Sequence, residues 1–305
     1  MRMRVVLAFS AIFIIWGSTY LAIRYAVAEI PPLLTAGIRH LTAGSVLYIW
    51  ARAKGHRATA AEWKNSAIVG ALFFLVGHGT LHWAEQSVPS GLSALLVATE
   101  PLWIALLLAA TGSAPLRLQT IAGVLLGLAG VWALLGMEAT RGGGTTLGTL
   151  AVLVGAASWG GGVVYSQRAA LPKNAMLRTA TTLLCGAVLL LATSTALGEY
   201  HRIRVPSALA IGSLAYLIVL GSIVSFTAYY WLLDRYPATL VATHTYVNPA
   251  VAVLLGWAFA GESLSASLVV GLVLIAGAIV LVGKGAPVRT ATTSVQGRSA
   301  ALRSA

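Results

Sequence analysis

Residues 83–107 read WAEQSVPSGLSALLVATEPLWIALL, and residues 231–255 read WLLDRYPATLVATHTYVNPAVAVLL. The second passage restates the first 148 positions on: Trp83 answers to Trp231, Pro89 to Pro237, Leu92 to Leu240, Ala94 to Ala242 and Pro101 to Pro249, with Leu116 to Leu264 and Gly123 to Gly271 further along. Working outward, Trp16-Gly17 recurs as Trp159-Gly160 at an offset of 143, a slip of only five residues between the two registers. The chain is an internal duplication.

Composition fixes the solvent. With 58% apolar and 9% charged residues and a mean hydropathy of +0.85, the chain belongs in a bilayer. Apolar stretches long enough to span fall near 5–25, 33–51, 66–84, 91–111, 117–137, 147–166, 176–197, 208–230, 240–260 and 267–283. The expected architecture is an all-α integral membrane protein of ten helices. Residues 1–142 form the first repeat with helices 1–5, 143–284 the second with helices 6–10, and 285–305 a disordered cytoplasmic tail. Five spans per copy is an odd number, so the second copy enters the membrane inverted, about a pseudo-two-fold axis in the membrane plane.

The basic residues test this topology separately, because cytoplasmic loops carry the excess of Lys and Arg. With both termini cytoplasmic, 15 of the 20 basic residues fall on that side; Arg24, Arg141, Arg202 and Arg204 lie outside, and Arg39 lies within a span. The same bias accounts for the net charge of +12 without nucleic acid, since the charges sit between apolar spans and not on one folded face. The first apolar run meets Trp16, Tyr20 and Arg24 in place of a cleavage site, so the first span is expected to stay in the membrane. Cys185 is the only cysteine, which excludes disulfides within the chain and thiolate metal clusters.

Four segments, WGSTYLAIRYAV from Trp16, PPLLTAGIRHLTAG from Pro31, VPSGLSALLVATEPLW from Val88 and YVNPAVAVLLGWAFAGESLS from Tyr246, together resemble the EamA branch of the drug/metabolite transporter (DMT) superfamily. Within it the chain looks most like the inner-membrane exporters of the YedA and PecM type. The resemblance covers about residues 5–283 and implies a ten-helix fold with cytoplasmic termini that exports amino acids or other small metabolites. It also matches Arg39 to the family's Gly-x-Arg segment and implies contacts of helices 5 and 10 between halves or protomers.

The polar residues inside apolar spans are the candidates for a path. Glu100-Pro101 and Asn248-Pro249 occupy equivalent positions about ten residues into helices 4 and 9, where paired breaks mark a midplane site. Pro101 and Pro249 are the expected breaks. An ionised Glu100 facing lipid costs about 2.5 kcal/mol or more, so it faces the interior, is protonated or pairs; it is the proton-coupling candidate. Arg39 cannot shed its proton and must find a substrate carboxylate, Glu100, Glu85 or the membrane surface. His78, His82 and Glu85 share one face of helix 3, but a single helix makes a poor metal site, and His78 and His82 read as cavity-lining or hydrogen-bonding groups. His244 lies one turn before Asn248. Trp16, Thr19 and Tyr20 on helix 1, and Trp159 and Tyr165 on helix 6, suit a small amphipathic solute that wants apolar walls and few fixed donors.

No HExxH, GxSxG or phosphate-cradling loop occurs, so an enzyme is not expected, nor a cofactor or a metal. The reading is a secondary-active exporter of small amphipathic metabolites, working by alternating access with protons as coupling ion and helices 3, 4, 8 and 9 as gates. A facilitative exchanger or channel, or a permease for a lipid-linked carrier, remains the alternative. Monomer and homodimer are both open.

Overall fold

A computed structural model describes residues 2–88, 90–135, 145–203, 205–260 and 266–285. Among the described residues the secondary structure is helical, without strands. Consecutive segments group into rods. In the first repeat α1 runs through Arg2–Ser10, Ala11–Ile15 and Trp16–Val27; α2 is Pro32–Ala53; α3 runs through Ala60–Gly70, Ala71–His78 and Gly79–Ala84; α4 is Ser90–Val97 with Glu100–Ala110; α5 is Leu118–Leu135. In the second, α6 is Thr146–Ser166, α7 is Ala175–Ala196, α8 runs through Ala208–Tyr216, Leu217–Val224 and Ser225–Leu233, α9 is Ala238–Val241 with His244–Ala260, and α10 is Ala266–Gly285. Pro89, Arg141, Arg204, Leu264 and the tail 286–305 lie outside the described residues.

Local sequence starts these rods. Thr59 and Glu62 form a reciprocal capping box at α3, and Asn174 and Ser207 accept backbone N–H groups at the starts of α7 and α8. Among the described residues six stretches are apolar and long enough to cross a membrane: Met3–Val27, Ala60–Ala84, Ser93–Ala110, Thr146–Ser166, Ala175–Ala196 and Ala208–Leu233. Leu21, Val46, Leu125, Leu150, Val188, Val219 and Val273 project outward and exposed from seven different rods, as a hydrocarbon surround allows.

The packing repeats the duplication. α2 runs along α7, and α5 along α10; α1 packs on α8 as α6 packs on α3, and α1 meets α9 as α6 meets α4. Each contact thus recurs with the repeats exchanged, the signature of a two-fold relation. The loops sort into two ends. At one, Glu29 accepts from Ser207, Glu199 accepts from the N–H of Leu34 at 2.9 Å and from Ser194, and Ser87 meets Thr145. At the other, Asn65 bonds to the carbonyl of Ala170, Asn174 to His56, and Arg178 to Asp234 at 2.6 Å.

The expected helix breaks need one correction. In α4 the helix stops at Val97 and resumes at Glu100, so Pro101 sits in the first turn of the new segment. Its ring would meet the carbonyl of the residue four back, Val97, which is where the ladder gives way. In α9 the break comes at Ala242–Thr243, and Pro249 lies inside the helix His244–Ala260. At this break Thr243 and Thr245 donate their hydroxyls to the carbonyls of Leu240 and Ala242 at 2.6 and 2.9 Å, as Thr99 donates to that of Leu96 at 2.6 Å in α4.

Two predictions follow from this packing. A Cβ on Gly70 would lie 2.7 Å from the N of Gly186 and 2.8 Å from the carbonyl oxygen of Thr182, both backbone, whereas one on Gly161 meets nothing within 4 Å. Gly70→Ala should lower the melting temperature of the purified protein, at an overpacking cost of about 1–3 kcal/mol, while Gly161→Ala leaves it unchanged. At the loops, Ser207 donates to Glu29 through its N–H (2.6 Å) and its hydroxyl (2.7 Å), which holds that carboxyl below the usual carboxylate range. A lowered folded pKa contributes stability above the unfolded value and loses it as pH falls through the folded value. Hydrogen exchange in the first turn of α8, corrected for its intrinsic pH dependence, should quicken on acidification through that window, and Glu29→Gln should abolish the change.

Candidate functional site

Where the two repeats face each other, α1, α2, α3, α4, α6 and α9 enclose a cavity of about 650 Å³ including its mouth. α1 contributes Trp16, Thr19, Tyr20 and Ile23; α2 contributes Arg39; α3 Gly77, His78 and Leu81; α4 Val97 and Glu100. From the second repeat come Val152, Gly155, Ala156 and Trp159 of α6, with His244 and Asn248 of α9. Along α1 the lining runs from Trp16 toward Val27, so the cavity extends toward the loop end that holds Glu29.

Aromatic rings close the opposite direction. Trp16 and Trp159 meet edge to face at 6.2 Å, Phe73 stacks on Trp159 at 4.4 Å, and Tyr229 packs 5.1 Å from Trp16 while its hydroxyl accepts from Trp159 Nε1. Behind this layer Phe9 contacts Phe13 and Tyr236, each at 5.6 Å. Phe73, Phe226, Tyr229 and Val241 are fully buried there.

Wide turns position the polar groups. Ala11–Ile15, Ala71–His78 and Leu217–Val224 are π-helical, a geometry that concentrates at functional sites. The last two occupy corresponding stretches of α3 and α8. From the α8 turn the Gly221 carbonyl accepts Trp16 Nε1 at 3.0 Å and Arg39 Nη2 at 3.1 Å, and Ser222 Oγ accepts Arg39 Nε at 2.8 Å. Arg39 is 1% exposed and its Nη1 has no partner. Glu100 is 2% exposed, and its Oε1 is likewise unpartnered. Arg178–Asp234 is the only ion pair among the described residues, so Arg39 joins neither Glu100 nor Glu85.

Asn248, with its amide nitrogen donating to the carbonyls of Phe13 (3.2 Å) and His244 (2.8 Å), ties α9 to the wide turn of α1. The other end of that amide lies 3.4 Å from His244 Nδ1, leaving His244 Nε2 without a partner. Gly17 makes the approach possible, since a Cβ there would fall 2.8 Å from Val251. On the other wall His40 Nε2 and His78 Nδ1 share a hydrogen bond of 2.9 Å, and His82 Nδ1 bonds to the His78 carbonyl at 2.8 Å.

Trp16, Thr19, Tyr20, Arg39, His78, Glu100, Trp159, His244 and Asn248 therefore share one cavity. Tyr165 does not: its hydroxyl donates to Asn65 at the far loop end. His82 is fully buried but off the lining. The described residues hold no cluster of three metal-ligating side chains. Sequence reasoning missed His40, Gly221 and Ser222. His40 carried a signal, a second polar residue beside Arg39 in an apolar span; Gly221 and Ser222 carried none, because their part comes from a backbone turn.

The EamA-like transporter family matches the chain twice, over residues 3–136 and 146–284. The uncharacterized inner membrane transporter YedA of Escherichia coli (strain K12) is 37% identical over 91% of this chain and 90% of its own length. The uncharacterized transporter YoaV of Bacillus subtilis (strain 168) is 28% identical over 89% and 94%, and protein PecM of Dickeya dadantii (strain 3937) is 26% identical over 88% of each. One crystal structure, 24% identical, superposes with a TM-score of 0.73 over 94% of this chain and 98% of its own, a likeness of fold.

The one-sided cavity predicts an accessibility pattern. In a Cys185→Ser background, a cysteine replacing Tyr20 or Leu81 should react with a membrane-impermeant maleimide supplied at the Glu29 end. One replacing Phe73 or Val241 should resist the reagent from either side.

Proposed function

The chain belongs to the EamA-like transporter family, and from that premise we propose that it exports small amphipathic metabolites, amino acids or related compounds, across the inner membrane, coupled to protons. The carrying observation is a cavity lined by both repeats that extends toward one loop end, with buried aromatic rings packed toward the other. A conducting channel is open at both ends at once; a closed end that must later open is what alternating access requires.

In this reading both termini are cytoplasmic, the sealed end faces the cytoplasm, and the geometry is that of release. The ten rods each cross the membrane, and Lys54, Arg57, Lys64, Arg168, Lys173 and Arg235 then sit on the inner side. Loading needs the ring layer to part and the outer mouth to close. The wide turns of α3 and α8, next to the broken α4 and α9, are the places where those rods bend most cheaply.

Glu100 supplies the coupling. Ionised, it receives a cationic group of the substrate; protonated from outside, it lets that group go and crosses back neutral, which lowers the cost of carrying a carboxylate through hydrocarbon. The walls of Trp16, Trp159 and Tyr20 accept the apolar remainder. The exporter reading is tested with purified protein in liposomes loaded with mixed amino acids, nucleosides and aromatic metabolites, reading release by mass spectrometry under an imposed pH gradient. Selective release that collapses with a protonophore supports it, and gradient-independent release removes the coupling. Glu100→Gln should abolish the pH dependence while the protein elutes and melts like the wild type; unchanged pH dependence would take the role from Glu100.

A further inference from the structure

We propose that Arg39 is the docking group for a carboxylate on the transported compound, so that molecules lacking one are not carried. The proposal rests on the transport reading and specifies its substrate. A guanidinium presents five N–H donors and keeps its charge. Here Nε and Nη2 are committed to two uncharged acceptors, Ser222 and Gly221, while Nη1 has none. The side chain, on the eighth residue of α2, is 1% exposed, yet it lines the cavity. A buried cation with an unpartnered donor and no counter-charge among the described residues is an incomplete site, and the cavity that Arg39 lines is the side from which an acceptor can approach it.

The surroundings define that acceptor. Glu100 lines the same cavity and is not paired with Arg39, so the cavity presents one fixed cation and one acid. A dianionic phosphate would leave a negative charge uncompensated beside Glu100, and a purely cationic solute would leave Arg39 unmatched. A monoanionic carboxylate fits the planar fork and leaves the acid free for a basic group. The anchor also spans the repeats: Arg39 belongs to the first, its two acceptors to the second, and the Gly221 carbonyl also takes Trp16 Nε1. A carboxylate on Nη1 would complete that junction, and its presence is thereby felt by the wide turn of α8.

The test compares matched probes on wild-type protein by titration calorimetry in a neutral detergent, with no anionic lipid present: leucine and phenylalanine, their carboxamides, and the corresponding amines that lack the carboxyl carbon. The proposal expects the acids to bind and the amides and amines to bind at least about tenfold more weakly, the loss of one charge-assisted pair. Arg39→Gln should bring the acid-to-amide ratio near one, and Arg39→Lys should keep part of it. Amides or amines that bind as tightly as the acids, no binding by any member of the set, or a ratio that survives Arg39→Gln would each overturn the carboxylate site. Should Arg39→Gln fail to fold, the wild-type series decides by itself. Flux in liposomes separates the two readings. Amides carried as fast as acids would remove the anchor and leave export standing, whereas acids bound through Arg39 but never carried would remove export and leave the anchor.

Discussion

One backbone carbonyl, that of Gly221, takes side-chain N–H groups from both Trp16 and Arg39, and the cavity depends on this junction. Inside a hydrocarbon layer a guanidinium and an indole N–H cannot be left to water, so each must find an acceptor within the protein. The acceptor they share lies on the opposite repeat from both. Gly221 has no side chain to keep Arg39 away; a Cβ would sit 3.0 Å from Nη2 and 3.1 Å from Thr19. α1, α2 and α8 are thereby held together at the depth where the cavity begins.

Around that junction the duplication supplies a symmetric frame with asymmetric contents. The rod pairings recur with the repeats exchanged, and wide turns occur in both α3 and α8. The polar contents do not recur. Glu100 has the uncharged Asn248 as its counterpart in the second repeat, and the wide turn of α1 has no counterpart in the continuous α6. The unequal contents give the cavity its charge pattern, with Arg39 and Glu100 both contributed by the first repeat.

The frame was legible in the sequence. Repeated Trp, Pro and Gly positions announced the duplication, apolar runs announced the rods, and polar residues stranded in those runs pointed to the lining, because a bilayer makes each of them costly unless it has a purpose. What stayed hidden depends on backbone geometry or on which way a rod turns. The π-helical turns carry no composition signal. Pro249 promised a break that α9 makes one turn or more earlier, where Thr243 and Thr245 satisfy the carbonyls. Tyr165 shares a helix with Trp159 but lies nearly two turns on, at the loop end, where Asn65 takes its hydroxyl.

The central claim is that the ring-sealed end must open for cargo to move. Phe9 and Tyr236 meet across that seal with ring centroids 5.6 Å apart. Cysteines at both positions in a Cys185→Ser background, joined by a short bifunctional thiol cross-linker cleavable by reductant, would hold it shut. Efflux of the compound pool from proteoliposomes should stop on cross-linking and return on cleavage, with either single cysteine unaffected. Full efflux through the cross-linked protein would contradict alternating access.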